Sequence, residues 1–135
     1  VLEATADFPN LKPSTIEFNL PQPNYTIDTL AHLSEKYPEG HQFCLIMGED
    51  NLKGFHKWKN YEVILEHYEL FVYPRISEGK TEHRITDHLR IHKVNAPIIE
   101  LSSTFIRREY KNGKNIRPLL PDSVWKYMDE MNFYR

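Results

Sequence analysis

A run of five residues near the middle of the chain constrains the fold most. Residues 43–47, Phe-Cys-Leu-Ile-Met, contain no charged side chain, which is typical of a central strand in a parallel sheet that is covered on both faces. Gly48-Glu49-Asp50-Asn51 follows at once. Ligands of open α/β sheets bind beyond the carboxyl ends of the strands. The run therefore predicts a parallel sheet with a binding site at Gly48 and Asp50.

Helical and extended segments alternate around this run. Residues 24–30 open a helix with Thr26 as its N-cap, and residues 37–40 end it. A second helix over residues 61–65 leads to a strand over residues 69–75. This alternation predicts an α/β fold with right-handed crossovers. Further strands are predicted over residues 15–20, 91–96 and 96–101, and a terminal helix over residues 121–131.

Composition narrows the class of protein. The chain has 135 residues, enough for one domain with its own core, and it is 40% hydrophobic and 27% charged. Its net charge of −2 gives no general attraction to nucleic acid or to an anionic membrane. No apolar run approaches the roughly 18 residues of a membrane span. The single cysteine, Cys44, cannot form an intrachain disulfide; we expect it to be buried and inert, in a reducing cytoplasm.

Three histidines, His83, His88 and His92, lie close together in the sequence. His88 and His92 are four residues apart, as metal ligands on one helix face would be. No glutamate stands between them in a zinc-protease pattern, no cysteine accompanies them, and the strand predicted over residues 91–96 places them on extended chain. The sequence therefore predicts surface histidines and no metal site.

Three consecutive hydroxyl residues begin the next predicted helix. Ser102, Ser103 and Thr104 precede a helical segment that ends at Asn112-Gly113. Ser and Thr side chains cap the first N–H groups of a helix, and the positive end of its dipole favours a phosphate. Arg107, one turn later, adds a forked donor suited to phosphate oxygens. An ordinary N-cap beside a solvated arginine remains the alternative.

Three islands of sequence together resemble the bacterial nicotinate-nucleotide adenylyltransferases, which belong to the HxGH-type nucleotidyltransferases. The islands are residues 25–30 (Tyr-Thr-Ile-Asp-Thr-Leu), residues 48–51 with Trp58, and residues 102–107. The first string and the eight-residue spacing from Asp50 to Trp58 are the parts that differ from pantetheine-phosphate adenylyltransferase. Glu49 departs from the small residue that usually stands at its position in the family.

The resemblance implies a Rossmann-like, doubly wound parallel sheet. It also implies an activity: transfer of the adenylyl group of ATP to nicotinate mononucleotide, which gives deamido-NAD and pyrophosphate in NAD biosynthesis. Mg²⁺ would accompany ATP as cofactor. The expected partners are these two small molecules, with no nucleic acid and no membrane. A homo-oligomer is left open.

The resemblance also assigns roles to individual residues. Asp50 would accept hydrogen bonds from ribose hydroxyls, Trp58 would stack on the pyridine ring, and amides near Tyr25 and Thr26 would receive the pyridine carboxylate. The complete set for nicotinate mononucleotide is Tyr25, Thr26, Asp50, Lys57 and Trp58. The set for ATP is Gly48, Ser102, Ser103, Thr104, Ile106 and Arg107, of which Ser103, Thr104 and Arg107 would be catalytic.

The family's phosphate loop, Gly-x-Phe-x-Pro-x-His-x-Gly-His, does not occur in residues 1–135. We therefore expect the chain to be the C-terminal two-thirds or more of a single nucleotidyltransferase domain, without its first strand, and to be inactive by itself. The alternatives are a non-catalytic nucleotide-binding module and a related adenylyltransferase such as pantetheine-phosphate adenylyltransferase. A third is an RNA-binding surface formed by Arg107, Arg108, Lys111, Lys114 and Arg117.

Overall fold

The computed structural model describes residues 1–75 and 87–134. The helices are α1 (Leu2–Thr5), α2 (Thr26–Lys36), α3 (Glu49–Gly54), α4 (Tyr61–His67), α5 (Ser103–Lys111) and α6 (Asp122–Glu130), and the strands are β1 (Cys44–Gly48), β2 (Glu69–Tyr73) and β3 (Ile91–Lys93). Short 3-10 helices cover Ile16–Asn19, Phe55–Lys57 and Arg117–Leu119. The chain divides into two compact units, residues 16–100 and residues 1–15 with 101–135. The single domain expected over residues 1–135 stays a prediction.

The unit of residues 16–100 contains a parallel sheet. Its strands lie in the order β1-β2-β3, and both neighbouring pairs are parallel. Ile46 lies opposite Phe71, which lies opposite His92. Helices α3 and α4 connect β1 to β2. The predicted parallel α/β architecture is thereby confirmed.

One face of this sheet carries the core of the unit. Leu70 and Val72 of β2 and Ile91 of β3 are buried there, together with residues of α2 and α4. Phe55 and Ile64 have no exposed surface. Because side chains alternate along a strand, the other residues of each strand point to the opposite face.

On the opposite face, two predictions for β1 are wrong. We predicted that this strand is covered on both faces and that Cys44 is buried, but Cys44 is exposed and Ile46 is 71% exposed. Leu45 and Met47 instead pack toward the core. The continuous apolar run could not distinguish the two faces, because it lacks the polar alternation that marks the outward one.

Two predicted strands are also wrong. Residues 15–20 form the 3-10 helix Ile16–Asn19, and Pro21 and Pro23 beyond it have no N–H to extend a sheet ladder. Residues 96–101 contain no strand, and Ile98 and Ile99 are 53% and 75% exposed. The strand predicted over residues 91–96 is shorter, since β3 ends at Lys93.

The remaining helix predictions agree with the structure except at one cap. Tyr25, not Thr26, is the N-cap residue of α2, and Thr26 is the first helical residue. Helix α5 ends at Lys111, and Gly113 follows with a φ of +75°, the left-handed conformation expected of the predicted stop.

Only one of the two described histidines of the predicted group of three lies on extended chain as predicted, because His88 precedes β3 and its carbonyl accepts from the Ile91 N–H in a turn. His92 is in β3 with its Nε2 2.6 Å from Glu69 Oε2, and the Nδ1 of His88 accepts from the Arg90 N–H. His83 lies outside the described residues. Across residues 1–75 and 87–134, no group of three or more His, Cys, Asp or Glu side chains could hold a metal ion. No helix in these ranges is long and apolar enough to cross a membrane.

The second unit is built from α1, α5 and α6. Ile116 and Met128 are buried, and the rings of Tyr110 and Trp125 meet edge to face with centroids 5.7 Å apart. Glu109 of α5 is only 8% exposed, and its carboxylate binds Lys114 and the Nε of Arg108. These two cations make the burial of a carboxylate tolerable.

The Glu109 cluster generates a prediction for stability against pH. Hydrogen bonds from Lys114 and then Arg108 hold the pKa of Glu109 below its usual range. A pKa that is lower in the folded state contributes stability above the unfolded-state value of about 4.3, and that contribution disappears as the pH falls through the folded-state pKa. Glu109→Gln should therefore lower the melting temperature at pH 7, and the difference from wild type should shrink below about pH 4.3.

Thermal unfolding followed by circular dichroism from pH 3 to pH 8 measures this difference. Glu130→Gln is the matched control, because Glu130 is an exposed glutamate on α6. A destabilisation by Glu109→Gln that is the same at pH 3 and pH 7 would contradict the assignment.

Candidate functional site

A cavity of about 290 Å³ opens between the start of α2 and the chain that leaves α3. Four of the residues that the sequence assigned to nicotinate mononucleotide line it together: Tyr25, Thr26, Lys57 and Trp58. Asn24 and Lys59 complete the lining. These two were not predicted, and the available signal was their position next to Tyr25 and Trp58.

The first wall is the start of α2. Tyr25 has extended backbone angles and provides no side-chain cap for the helix. Its carbonyl accepts from the N–H groups of Asp28 and Thr29. The earlier N–H groups of the first turn have no partner within a helix. The wall therefore offers hydrogen-bond donors and the positive end of an 11-residue helix.

The second wall is held by the core. The N–H of Trp58 donates to the carbonyl of Phe55 at 3.0 Å, and the two rings are tilted with centroids 5.2 Å apart. Phe55 is completely buried, so it fixes the position of a half-buried tryptophan whose remaining surface lines the cavity. A fixed aromatic wall suits a flat ring.

The two lysines of the cavity differ in their surroundings. The Nζ of Lys59 lies 3.0 Å from Oδ2 of Asp28 and 4.4 Å from the centroid of the Tyr25 ring. Within residues 1–75 and 87–134, Lys57 has no carboxylate in ion-pair range. The charge of Lys59 is therefore compensated, whereas that of Lys57 is available to an anion.

Asp50 lies apart from this lining, in the first turn of α3. Its Oδ2 is 3.4 Å from NH1 of Arg75. Gly48 directly precedes this helix, and a Cβ at Gly48 would collide with the Asp50 carboxylate and come within 2.8 Å of Cδ of Arg75. Any larger residue here would therefore displace the Asp50 and Arg75 side chains.

A smaller cavity of about 60 Å³ marks the carboxyl edge of the sheet. Tyr73 and Lys93, at the ends of β2 and β3, line it together with Glu49. The sequence left the role of Glu49 open. The structure places its half-buried side chain in this cavity.

The second group of predicted residues begins α5, in the other unit. The hydroxyl of Ser102 accepts from the N–H of Phe105 at 3.1 Å, so Ser102 is the N-cap as predicted. Ser103 and Thr104 are exposed in the first turn. NH2 of Arg107 donates to the Thr104 hydroxyl at 3.4 Å, and the N–H of Ile106 donates to the Ser102 carbonyl. Hydroxyls that accept one hydrogen bond still have a proton to donate to an anion.

The basic residues that motivated the RNA-binding alternative are largely paired. Arg108 and Lys114 bind Glu109, and Arg117 binds Asp122 at 2.6 Å. Cations that are already compensated contribute little to attraction for a phosphate backbone. This pairing disfavours the alternative.

Known proteins are similar in sequence to the segments that form these candidate sites. The cytidylyltransferase-like family model matches residues 13–109. The chain is 62% identical over 135 residues to a probable nicotinate-nucleotide adenylyltransferase of Christiangramia forsetii, covering all of this chain and 69% of that protein. A protein of the same name from Flavobacterium psychrophilum is 58% identical over 132 residues, or 98% of this chain and 68% of its own length.

The similarity extends to more distant relatives. A probable nicotinate-nucleotide adenylyltransferase of Cytophaga hutchinsonii is 45% identical over 134 residues, which are 99% of this chain and 68% of that protein. The matches span the cavity, the carboxyl edge of the sheet and the start of α5 alike. With this coverage and identity, the chain belongs to the cytidylyltransferase-like family and, within it, to the nicotinate-nucleotide adenylyltransferases.

Proposed function

We propose that the protein transfers the adenylyl group of ATP to nicotinate mononucleotide, giving deamido-NAD and pyrophosphate. The observation that carries this proposal is the cavity at the start of α2, where Tyr25, Thr26, Lys57 and Trp58 meet. The names of the relatives support the same reaction.

The cavity has the chemistry to recognise a pyridine ring that bears a carboxylate. Trp58 offers a flat face, and stacking of an aromatic base on such a face contributes about 1–3 kcal/mol. The first-turn N–H groups of α2 and the ammonium of Lys57 would receive the carboxylate through charge-assisted hydrogen bonds. The ribose hydroxyls would donate to Asp50, whose carboxylate Arg75 holds in place.

The start of α5 would bind the triphosphate of ATP. Ser102, Ser103 and Thr104 would donate hydroxyl protons to phosphate oxygens, and Ile106 would contribute through the backbone of the same turn. Arg107 would neutralise phosphate charge. Gly48 would border the nucleotide at the carboxyl end of β1, where a side chain would displace those of Asp50 and Arg75.

Mg²⁺ would arrive bound to ATP. This ion keeps several waters and is usually held by substrate phosphates with one or two carboxylates, not by an all-protein cage. The carboxylates of Glu49 and Asp50, in the first turn of α3 after β1, are of the type that would complete such coordination. The ion would supply further neutralisation of the triphosphate.

The reaction is an in-line displacement at phosphorus. A phosphate oxygen of nicotinate mononucleotide forms a bond to the α-phosphorus of ATP, and the bond from that phosphorus to pyrophosphate breaks. No covalent enzyme intermediate is required. The protein contributes by positioning the two substrates and by compensating charge as it moves to the leaving pyrophosphate. In this account Ser103, Thr104 and Arg107 act on the reacting phosphates.

The proposed pocket predicts the choice of substrate. The carboxylate of nicotinate mononucleotide gains charge-assisted bonds that the neutral amide of nicotinamide mononucleotide cannot match. The complete protein should therefore show a higher kcat/KM for the acid form, measured by pyrophosphate release with ATP and Mg²⁺. Equal values for the two mononucleotides, or a preference for the amide, would refute the assigned pocket. Turnover of phosphopantetheine in the same assay would favour the pantetheine-phosphate alternative.

Arg107 provides a test of the phosphate assignment. If its guanidinium neutralises charge during transfer, Arg107→Ala should reduce kcat/KM by about 10²–10³, as expected for loss of one preorganised donor. Because Arg107 is exposed, the melting temperature should change little.

Lys111→Ala is the control, since Lys111 is an exposed cation on the same helix. Arg108 is unsuitable for this purpose because it binds the buried Glu109. If Arg107→Ala keeps full activity, or if Lys111→Ala loses as much, the assignment of Arg107 is wrong.

A further inference from the structure

We propose that the Asp28–Lys59 ion pair sets the spacing of the two walls of the pyridine cavity, and that Lys59 is a positioning residue and not a ligand. This inference rests on the proposed function for its choice of substrate. Neither residue was assigned a role by the sequence motifs.

The ion pair joins the two walls directly. One wall is formed by residues 24–26 at the start of α2, and Asp28 lies in the first turn of that helix. The other wall is formed by residues 57–59 and ends in Lys59. The Nζ of Lys59 reaches both carboxylate oxygens of Asp28, at 3.0 and 3.4 Å. The pair thereby connects the two walls through residues that are 31 positions apart in the sequence.

The same ammonium also holds the aromatic part of the first wall. It lies 4.4 Å from the centroid of the Tyr25 ring, within the distance at which a cation is attracted to an aromatic face. Lys59 therefore contacts both the ring before α2 and the carboxylate in its first turn. A single side chain fixes two groups of the opposite wall.

The core fixes Trp58 within its own wall, and the ion pair sets its position relative to α2. On its N-terminal side the N–H of Trp58 binds the carbonyl of Phe55 at 3.0 Å. On its C-terminal side the next residue is Lys59, bound to α2. The Trp58 carbonyl also accepts from the Tyr61 N–H at 3.3 Å, so loss of the pair would not free the indole, but it would remove a contact that joins this segment to α2. The distance between the two walls would then vary more.

The charges argue against Lys59 as a direct ligand of the substrate carboxylate. Its ammonium is already compensated by Asp28, and the two side chains are equally exposed, at 42% each. A pair this exposed adds little to overall stability. Its effect should appear in local geometry, and therefore in binding at the cavity.

The experiment compares three changes in the complete protein: Asp28→Asn, Lys59→Met, and the exchange Asp28→Lys with Lys59→Asp. Each single change should raise the KM for nicotinate mononucleotide about 2- to 5-fold, the size expected for an exposed ion pair. The KM for ATP should not change, and kcat should not change either. The exchange should bring the KM back toward wild type.

A direct role for Lys59 gives the opposite result for one variant. Asp28→Asn would then free the ammonium and lower the KM for nicotinate mononucleotide, and the exchange would behave like Lys59→Met. Either outcome would overturn the proposal. Lys126→Met is the matched control, because Lys126 forms an exposed ion pair of the same length, 3.0 Å, with Asp122 on α6; its KM values should equal those of wild type.

A second measurement needs no substrate. The chain has two tryptophans, so Trp125→Phe leaves Trp58 as the only indole of residues 1–135. Quenching of its fluorescence by acrylamide should increase with Asp28→Asn and with Lys59→Met and should decrease again in the exchange. Unchanged quenching in both single variants would overturn the inference even if the enzyme uses nicotinate mononucleotide. Increased quenching without turnover of that substrate would refute the proposed function alone.

Discussion

Burial of the Phe55 side chain is the constraint on which the candidate site depends. The ring has no exposed surface and packs against Trp58 on one side and Tyr61 on another, with centroids 5.2 and 5.9 Å away. Because Phe55 belongs to the core beneath the sheet, any shift of the chain leading to Trp58 would disturb that core. The aromatic wall of the cavity therefore inherits its rigidity from packing, which is how a binding site is preorganised.

Much of the positive charge near the candidate sites is compensated by neighbouring carboxylates, and particular cations are left for the substrates. The chain is close to neutral overall, and many of its cations are paired with carboxylates, as in Lys59 with Asp28 and Arg117 with Asp122. Lys57 and Arg107 have no such carboxylate partner among residues 1–75 and 87–134. These two are the cations that the proposed reaction needs, one for the pyridine carboxylate and one for phosphate. Electrostatic attraction for the anionic substrates thus comes from individual side chains and does not require a net positive charge on the protein.

Local sequence signals predicted the parts of the fold that are governed by local physics. The capped start of α5 and the glycine after it were recognised from side-chain chemistry, and Trp58 was placed with Tyr25 and Thr26 by the family motifs. The exposure of Cys44 and the 3-10 helix at Ile16–Asn19 were missed. Both depend on which other segments cover or pair with the residue, and a short apolar run carries no such information.

The same distinction applies within the site. Lys59 was overlooked because its partner, Asp28, lies 31 residues away, and a lysine after a tryptophan has no distinctive spacing of its own. Asp50 was expected beside the pyridine-binding residues, yet it lies outside their cavity and pairs with Arg75. Long-range pairs of this kind become visible only when the chain is folded.

Fluorescence titration of Trp58 with nicotinate mononucleotide tests the central claim most directly, namely that the pyridine ring binds against this indole. In the complete protein carrying Trp125→Phe, the mononucleotide should quench Trp58 emission saturably, because a stacked pyridine ring lies in contact with the indole. In the protein carrying Trp58→Phe, the emission of Trp125 should not change. Saturable quenching of Trp125 with no effect on Trp58 would place the substrate elsewhere and contradict the account.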